Sequence, residues 1–134
     1  MGVVIDANVL FRILISEGEI IDIVFNPSLH LFAPERLKEE FLRHKDEIME
    51  KAAFSRPEFE AVALILLRRI EFVALSAYQG YLSNAKELLQ GHGKDEDFLA
   101  LCLAKECKLW TYEARFFKLG YAVSTKELSK SLRG

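Results

Sequence analysis

The chain begins MGVVIDANVLFRIL (residues 1–14), and the fold depends on how this stretch is interpreted. Val3, Val4 and Ile5 are consecutive β-branched residues, which is typical of a short strand covered on both faces. Asp6 ends that strand. A carboxylate next to a buried strand is costly to desolvate unless it caps a helix, pairs with a cation or binds a metal. The role of Asp6 therefore depends on whether other acidic side chains reach the same place.

The composition is that of an ordinary soluble globular protein. Of the 134 residues, 51% are hydrophobic and 28% are charged, so we expect a single domain over residues 1–134 with a substantial core. The net charge of −2 gives no general attraction to nucleic acid, and a phosphate-bearing partner would need a local patch or a bound cation. The apolar start is broken by polar residues, which argues against a signal peptide or membrane span. Cys102 and Cys107 are interpreted as reduced packing thiols of a cytoplasmic protein.

Short apolar segments alternate with stretches of helical periodicity along the whole chain. Four segments resemble the first strand, at residues 30–33 (HLFA), 72–75 (FVAL), 108–111 (KLWT) and 121–125 (YAVST). This alternation predicts an α/β fold with a largely parallel sheet. In such sheets ligands bind beyond the carboxyl ends of the strands. Candidate functional residues are therefore the polar side chains that follow each strand.

The segments between the strands carry helix signals. Pro34 is predicted to open a helical turn after the second strand, and Gly120 to end a helix before the last one. Residues 97–104 (DFLALCLA) are apolar on all sides, which predicts a buried helix. Apolar residues from 59 to 70 mark one face of another helix. Leu64 and Ile65 lie on its other side, where they contact either a partner or additional core.

Acidic residues are expected at the carboxyl end of several strands. Asp6 follows the first strand. Glu40 shares a helical face with Leu37 and Phe41, which should face the sheet, so Glu40 is an acid on a buried face. Glu39 points the other way and is predicted to be solvated.

Two more groups of acids come from the second half of the chain. Asp95, Glu96 and Asp97 stand at the start of the buried helix, and Glu113 follows the fourth strand. Taken singly, each has a simpler role, as a helix cap, a solvated first-turn acid or a surface residue. Taken together, acids from four separate segments would repel one another unless a cation joined them. Mg²⁺ or Mn²⁺ prefers such oxygen ligands and supports phosphodiester hydrolysis, which is the chemistry that the pattern favours.

These motifs resemble the PIN-domain family, and within it the VapC-like metal-dependent ribonucleases. VVIDANVLF (3–11) is similar to the family's first strand with its Asp and following Asn. EEFLRH (39–44) resembles the second acidic motif, with Glu40 at the acid. KDEDFLALCLAKECKLWTYEARFF (94–117) resembles the third and fourth motifs.

The resemblance implies a three-layer α/β/α sandwich around a mainly parallel sheet of about five strands, often as a homodimer. It implies a metal-dependent endoribonuclease that hydrolyses single-stranded RNA, in many relatives as a toxin silenced by an antitoxin protein. The residues that would hold Mg²⁺ or Mn²⁺ and act in catalysis are Asp6, Glu40, Asp95 and Glu113, with Asp97 as the alternative third acid. Asn8 and Thr111 would orient ligands or water.

The chain departs from the family pattern at one acid. Glu113 stands where the family usually has Asp, so the geometry of the fourth ligand would change. The alternative function is a catalytically silent PIN-like scaffold that binds RNA or a protein partner. Nearby cations that could hold an RNA backbone are Arg12, Arg43, Lys94 and Arg115.

Overall fold

The core of the molecule is one parallel β-sheet. The computed structural model describes residues 1–15, 18–52, 54–90 and 95–133. The strands are β1 (Gly2–Ile5), β2 (His30–Pro34), β3 (Ile70–Val73), β4 (Lys108–Trp110) and β5 (Ala122–Val123). Their order in the sheet is β3-β2-β1-β4-β5, and each neighbouring pair is parallel. The first strand of the sequence is therefore the central strand of the sheet, which explains why Val3, Val4 and Ile5 are all buried.

Helices connect the strands and cover both faces of the sheet. They are α1 (Ala7–Ile15), α2 (Glu19–Val24), α3 (Glu35–Arg43), α4 (Lys45–Lys51), α5 (Arg56–Arg69), α6 (Leu75–Tyr78), α7 (Leu82–Leu88), α8 (Glu96–Lys105), α9 (Ala114–Lys118) and α10 (Thr125–Arg133), with a 3₁₀ turn at Gln79–Tyr81. The chain adds β2 and β3 on one side of β1 and then adds β4 and β5 on its other side. Right-handed crossovers then place the helices of the two halves on opposite faces. The predicted α/β/α sandwich is confirmed.

The helix α8 is the apolar helix that the sequence predicts. It packs against β1, β2 and β4, and its residues from Phe98 to Cys102 are all buried. Cys102 and Cys107 are free thiols, and burial raises the pKa of both. Within the described ranges, none of the helices has the length and apolar character needed to cross a bilayer.

Some predicted element boundaries are wrong. The third strand is Ile70–Val73 rather than 72–75, and the preceding helix ends at Arg69. Ile70 continues the apolar face of the helix in sequence, but it pairs with Leu31 in the sheet, and this pairing draws it into β3. Pro34 is the last residue of β2 and precedes the first helical residue. The last strand contains only Ala122 and Val123 of the five residues predicted.

Gly120 follows the end of α9, as the sequence predicts. Its φ of +82° lies in the left-handed region, where a β-carbon is strained, and no atom lies within 4 Å of the position that a β-carbon would occupy. The backbone N–H groups of Gly120 and Tyr121 donate to the carbonyls of Phe117 and Phe116 and so close the helix end. Glycine is required here by backbone conformation and not by space.

We expect Gly120→Ala to lower the free energy of unfolding by about 1 kcal/mol, because alanine must adopt a left-handed conformation. The measurement is urea unfolding followed by circular dichroism. Gly80→Ala is the matched control, since Gly80 also has no atom within 4 Å of a β-carbon but its φ lies outside the left-handed region. Equal losses in the two variants would contradict this explanation.

Candidate active site

The sheet topology brings acids from distant parts of the sequence to one edge. Asp6 directly follows β1, and Glu113 comes three residues after β4, which is the neighbouring strand. Ile5 pairs with Trp110, and the Asp6 backbone N–H donates to the Trp110 carbonyl at 3.1 Å. Glu40 lies on α3, the helix that follows β2 on the other side of β1.

Asp6 is held by a buried hydroxyl. The Thr111 Oγ1 donates to Asp6 Oδ2 at 2.6 Å and accepts the Glu113 backbone N–H at 3.1 Å, so Thr111 links the ends of β1 and β4. Only 4% of the Asp6 surface is exposed, and Thr111 is fully buried. Burial raises the pKa of Asp6, and the negative charges of Glu113 and Asp95 raise it further against the opposing effect of the Thr111 hydrogen bond. The folded protein therefore disfavours the ionised form of Asp6.

Asp95 joins the same group through Arg115. Asp95 occupies the N-cap position of α8, but its side chain makes no capping hydrogen bond. Its Oδ2 accepts a hydrogen bond from Arg115 Nη2 at 2.5 Å, while Arg115 Nε donates to Glu113 Oε2 at 2.8 Å. Burial and the charge of Glu113 raise the pKa of Asp95, and Arg115 opposes that shift. We call Asp6, Asp95 and Glu113 the acid triad.

Two further acids are held by a second arginine. Arg36 binds Asp97 with two parallel hydrogen bonds, from Nε to Oδ2 at 2.5 Å and from Nη2 to Oδ1 at 2.7 Å. Its Nη1 donates to Glu40 Oε1 at 2.5 Å. The Asp97 side chain is only 13% exposed, so it is not the solvated first-turn acid that its position alone would favour. Glu40 is half-buried and Glu39 is exposed, in agreement with their helical faces.

The remaining sequence candidates lie at the margin of this edge or elsewhere. Arg12 stacks over the Tyr112 ring at 4.4 Å, next to the segment that carries Thr111 and Glu113. Asn8 is exposed in the first turn of α1, and its predicted role in orienting a ligand stays a prediction. Arg43 is exposed at the end of α3. Lys94 lies outside the described residues.

Arg36 was not among the candidates drawn from the sequence. It stands four residues before Glu40, a spacing that places the two side chains on the same helical face. That spacing was the available signal, but nothing in the sequence indicates that Asp97, 61 residues away, would share the guanidinium.

The side chains at this edge are chemically suited to a hard divalent cation, because their potential ligand atoms are carboxylate oxygens. Five carboxylates lie at one sheet edge, where burial and, to a lesser extent, mutual repulsion raise the pKa of Asp6 and Asp95. A cation would relieve the repulsion. In the part of the chain that the structure describes, no three His, Cys, Asp or Glu side chains are arranged to hold a metal as they stand. The acids are instead bridged in pairs, by Arg115 and by Arg36.

We expect Asp6→Asn to raise the melting temperature at pH 7. Because the folded pKa of Asp6 lies above its ordinary value of 3.8, the ionised carboxylate destabilises the folded state at neutral pH. That penalty disappears as the pH falls towards 3.8, so the gain should shrink in parallel. The amide oxygen of the substituted side chain can still accept the hydrogen bond from the Thr111 hydroxyl. Thermal unfolding at several pH values measures this, and a pH-independent difference or a loss of stability at pH 7 would contradict it.

Comparisons with known proteins identify the family of the chain. A family model described as a PIN domain matches residues 4–132, a range that includes all five acids and both arginines. Comparisons with curated proteins and with solved structures gave no match. PIN domains are generally nucleases, and those nucleases act on RNA. Because the match spans nearly the whole chain, this protein belongs to the PIN-domain family.

Proposed function

We propose that this protein is a metal-dependent endoribonuclease that hydrolyses phosphodiester bonds in single-stranded RNA. The observation that carries the proposal is the grouping of Asp6, Asp95 and Glu113 at the carboxyl edge of the sheet, beside Asp97, to which Arg36 joins Glu40. An assembly of mutually repelling, partly buried carboxylates lowers stability, and such groups are typical of functional sites. We further propose that residues 1–134 act as one domain.

The ion that this site would take is Mg²⁺ or Mn²⁺, held by Asp6, Glu40, Asp95 and Glu113, with Asp97 as the alternative third acid. Once bound, such an ion lowers the pKa of a coordinated water and neutralises charge on a phosphodiester. The chain's own contribution is to fix the acids beforehand. Thr111 donates a hydrogen bond to Asp6 and accepts one from the Glu113 backbone N–H, so it holds both acid-bearing segments in one arrangement. Arg12 and Arg115 lie close enough to this edge to contact an RNA phosphate.

Glu113 does not exclude this function. Its side chain reaches Arg115 and is also one of the charges that raise the pKa of Asp6 and of Asp95, so the longer side chain still brings its carboxylate to the other acids. The competing proposal is a catalytically silent scaffold that binds RNA or a protein. The observation in its favour is that Arg36 and Arg115 already bridge the acids in pairs.

We also propose that the protein forms a homodimer in the cytoplasm and, if it is a toxin, that an antitoxin protein silences it. The support for self-association is the outer side of α5, where Leu64 and Ile65 are 52% and 53% exposed. A groove of about 420 Å³ beside them is lined by Leu42, Leu67 and neighbouring residues of α3 and α5. This apolar surface is what a second copy would cover.

We expect the wild type to cleave an unstructured RNA with Mn²⁺ or Mg²⁺ and to show no cleavage in a chelator. Asp6→Asn should fold normally and reduce cleavage by about 100-fold or more, because a central oxygen ligand loses its charge. The measurement is product formation from a fluorescently labelled RNA on a gel. Equal cleavage by Asp6→Asn and wild type would refute the role of Asp6.

Glu40 and Glu39 provide a matched pair for the same assay. They are adjacent on α3, but Glu40 is half-buried beside Arg36 whereas Glu39 is exposed. Glu40→Gln should impair cleavage and Glu39→Gln should not. RNA binding without cleavage by the wild type under every metal condition would favour the silent scaffold.

For the dimer, we expect the wild type to have twice the chain mass in light scattering and the double variant Leu64→Ser, Ile65→Ser to be monomeric. Removing two large apolar side chains takes away the area that drives association. Leu75→Ser is the control, since Leu75 is equally exposed, at 50%, but lies on α6. A monomeric wild type, or a dimer that survives the double variant, would contradict the proposed interface.

A further inference from the structure

We infer that the two arginines of the site have different roles. Arg115 is a displaceable counter-ion of the acid triad that the metal must replace, whereas Arg36 is a fixed clamp that keeps Glu40 and Asp97 in place. The inference rests on the proposed function, because it concerns how the same acids take up the ion.

Arg115 has the contacts expected of a counter-ion that a metal displaces. It donates one hydrogen bond to Asp95 and one to Glu113, two acids that come from different segments, and the charge of Glu113 contributes to the raised pKa of Asp95. The side chains of both acids are partly open to solvent, at 26% and 31% exposed. A cation bound by these two carboxylates would occupy the space in which the guanidinium now bridges them. An ion held by these two carboxylates would have to displace the bonds that Arg115 makes to them, each of which is a single hydrogen bond to a partly exposed acid.

Arg36 has the contacts expected of a fixed support. Its planar guanidinium makes a bidentate pair with Asp97 and a third charge-assisted bond to Glu40. Both arginines also lie over an aromatic ring, Arg36 over Phe98 at 5.3 Å and Arg115 over Phe116 at 4.7 Å, so the ring contact does not distinguish them. The bonds to Asp97 raise the pKa of Arg36 above its ordinary value. The contact joins α3 to the start of α8 and uses both oxygens of a nearly buried acid. Releasing Arg36 would leave Asp97 buried without its partner, which is strongly unfavourable.

This division decides between the two candidates for the third acid. Both Asp97 oxygens are committed to Arg36, while Asp95 shares a displaceable arginine with Glu113 and is electrostatically coupled to Asp6. The metal is therefore held by the acid triad, with Asp95 rather than Asp97 as the ligand from the start of α8. The displaced Arg115 guanidinium remains beside the ion, where it can bind a phosphate of the RNA.

The test is Mn²⁺ titration of the full chain by isothermal calorimetry, without RNA. R115Q should bind Mn²⁺ about tenfold more tightly than the wild type, because the ion no longer competes with two charge-assisted hydrogen bonds. R115K, which keeps the charge but cannot bridge two acids with a planar fork, should lie between them. Without metal, R115Q should melt at a lower temperature than the wild type, and Mn²⁺ should raise its melting temperature by more.

R36Q is the matched arginine control. It should lower the melting temperature and leave Mn²⁺ affinity unchanged or weaker. If R36Q fails to fold, D97N and D95N provide the same comparison at the acids. D95N should weaken Mn²⁺ binding at least about tenfold, whereas D97N should change it by less than about threefold.

Several outcomes would overturn the inference. Equal or weaker Mn²⁺ affinity in R115Q, or no detectable binding in either the wild type or R115Q, would show that Arg115 does not compete with the ion. Tighter binding in R36Q to the same degree, or a larger loss in D97N than in D95N, would show that the roles are assigned wrongly. If the affinities follow the expected order but no metal condition yields RNA cleavage, the nuclease proposal fails and the inference stands.

Discussion

The burial of the Asp6 carboxylate at the end of the central strand is the constraint on which the site depends. The strand must be covered on both faces because it lies in the middle of a parallel sheet, and its last side chain is therefore removed from water. Burial and neighbouring negative charges both disfavour the ionised form of Asp6. The structure compensates with the Thr111 hydroxyl, whose own position is fixed by β4. The same hydrogen bond therefore links the ends of β1 and β4 and stabilises the Asp6 carboxylate.

Two arginines reduce the repulsion among the acids at this edge of the sheet. Five carboxylates at one edge of a small domain would repel one another, and Arg36 and Arg115 each bridge two of them and offset part of their charge. Bridges of this kind preserve the fold in the absence of a bound cation. They also mean that any ion must compete with positive charge already present, so the affinity for metal depends on the arginines as much as on the acids.

The sequence predicted the fold class and the placement of the acids better than it predicted their partners. A run of β-branched residues identifies β1, and the order of strands and helices predicts the parallel sheet, because both follow from local patterns. The strand–helix boundary at Ile70 was wrong since it depends on pairing with Leu31, a contact between distant residues. The pairing of Arg36 with Asp97 was missed for the same reason. The acid that an arginine contacts depends on the tertiary structure, and a single sequence does not indicate it.

The hydrogen bond between Thr111 and Asp6 joins positions 105 residues apart. β4 must leave the ribosome and add to the edge of β1 before this link can form, so the acid cluster cannot be completed until residues 6–113 have all been synthesised. A growing chain that carries Asp6 and Glu40 but not yet β4 therefore lacks the complete group of acids at the sheet edge.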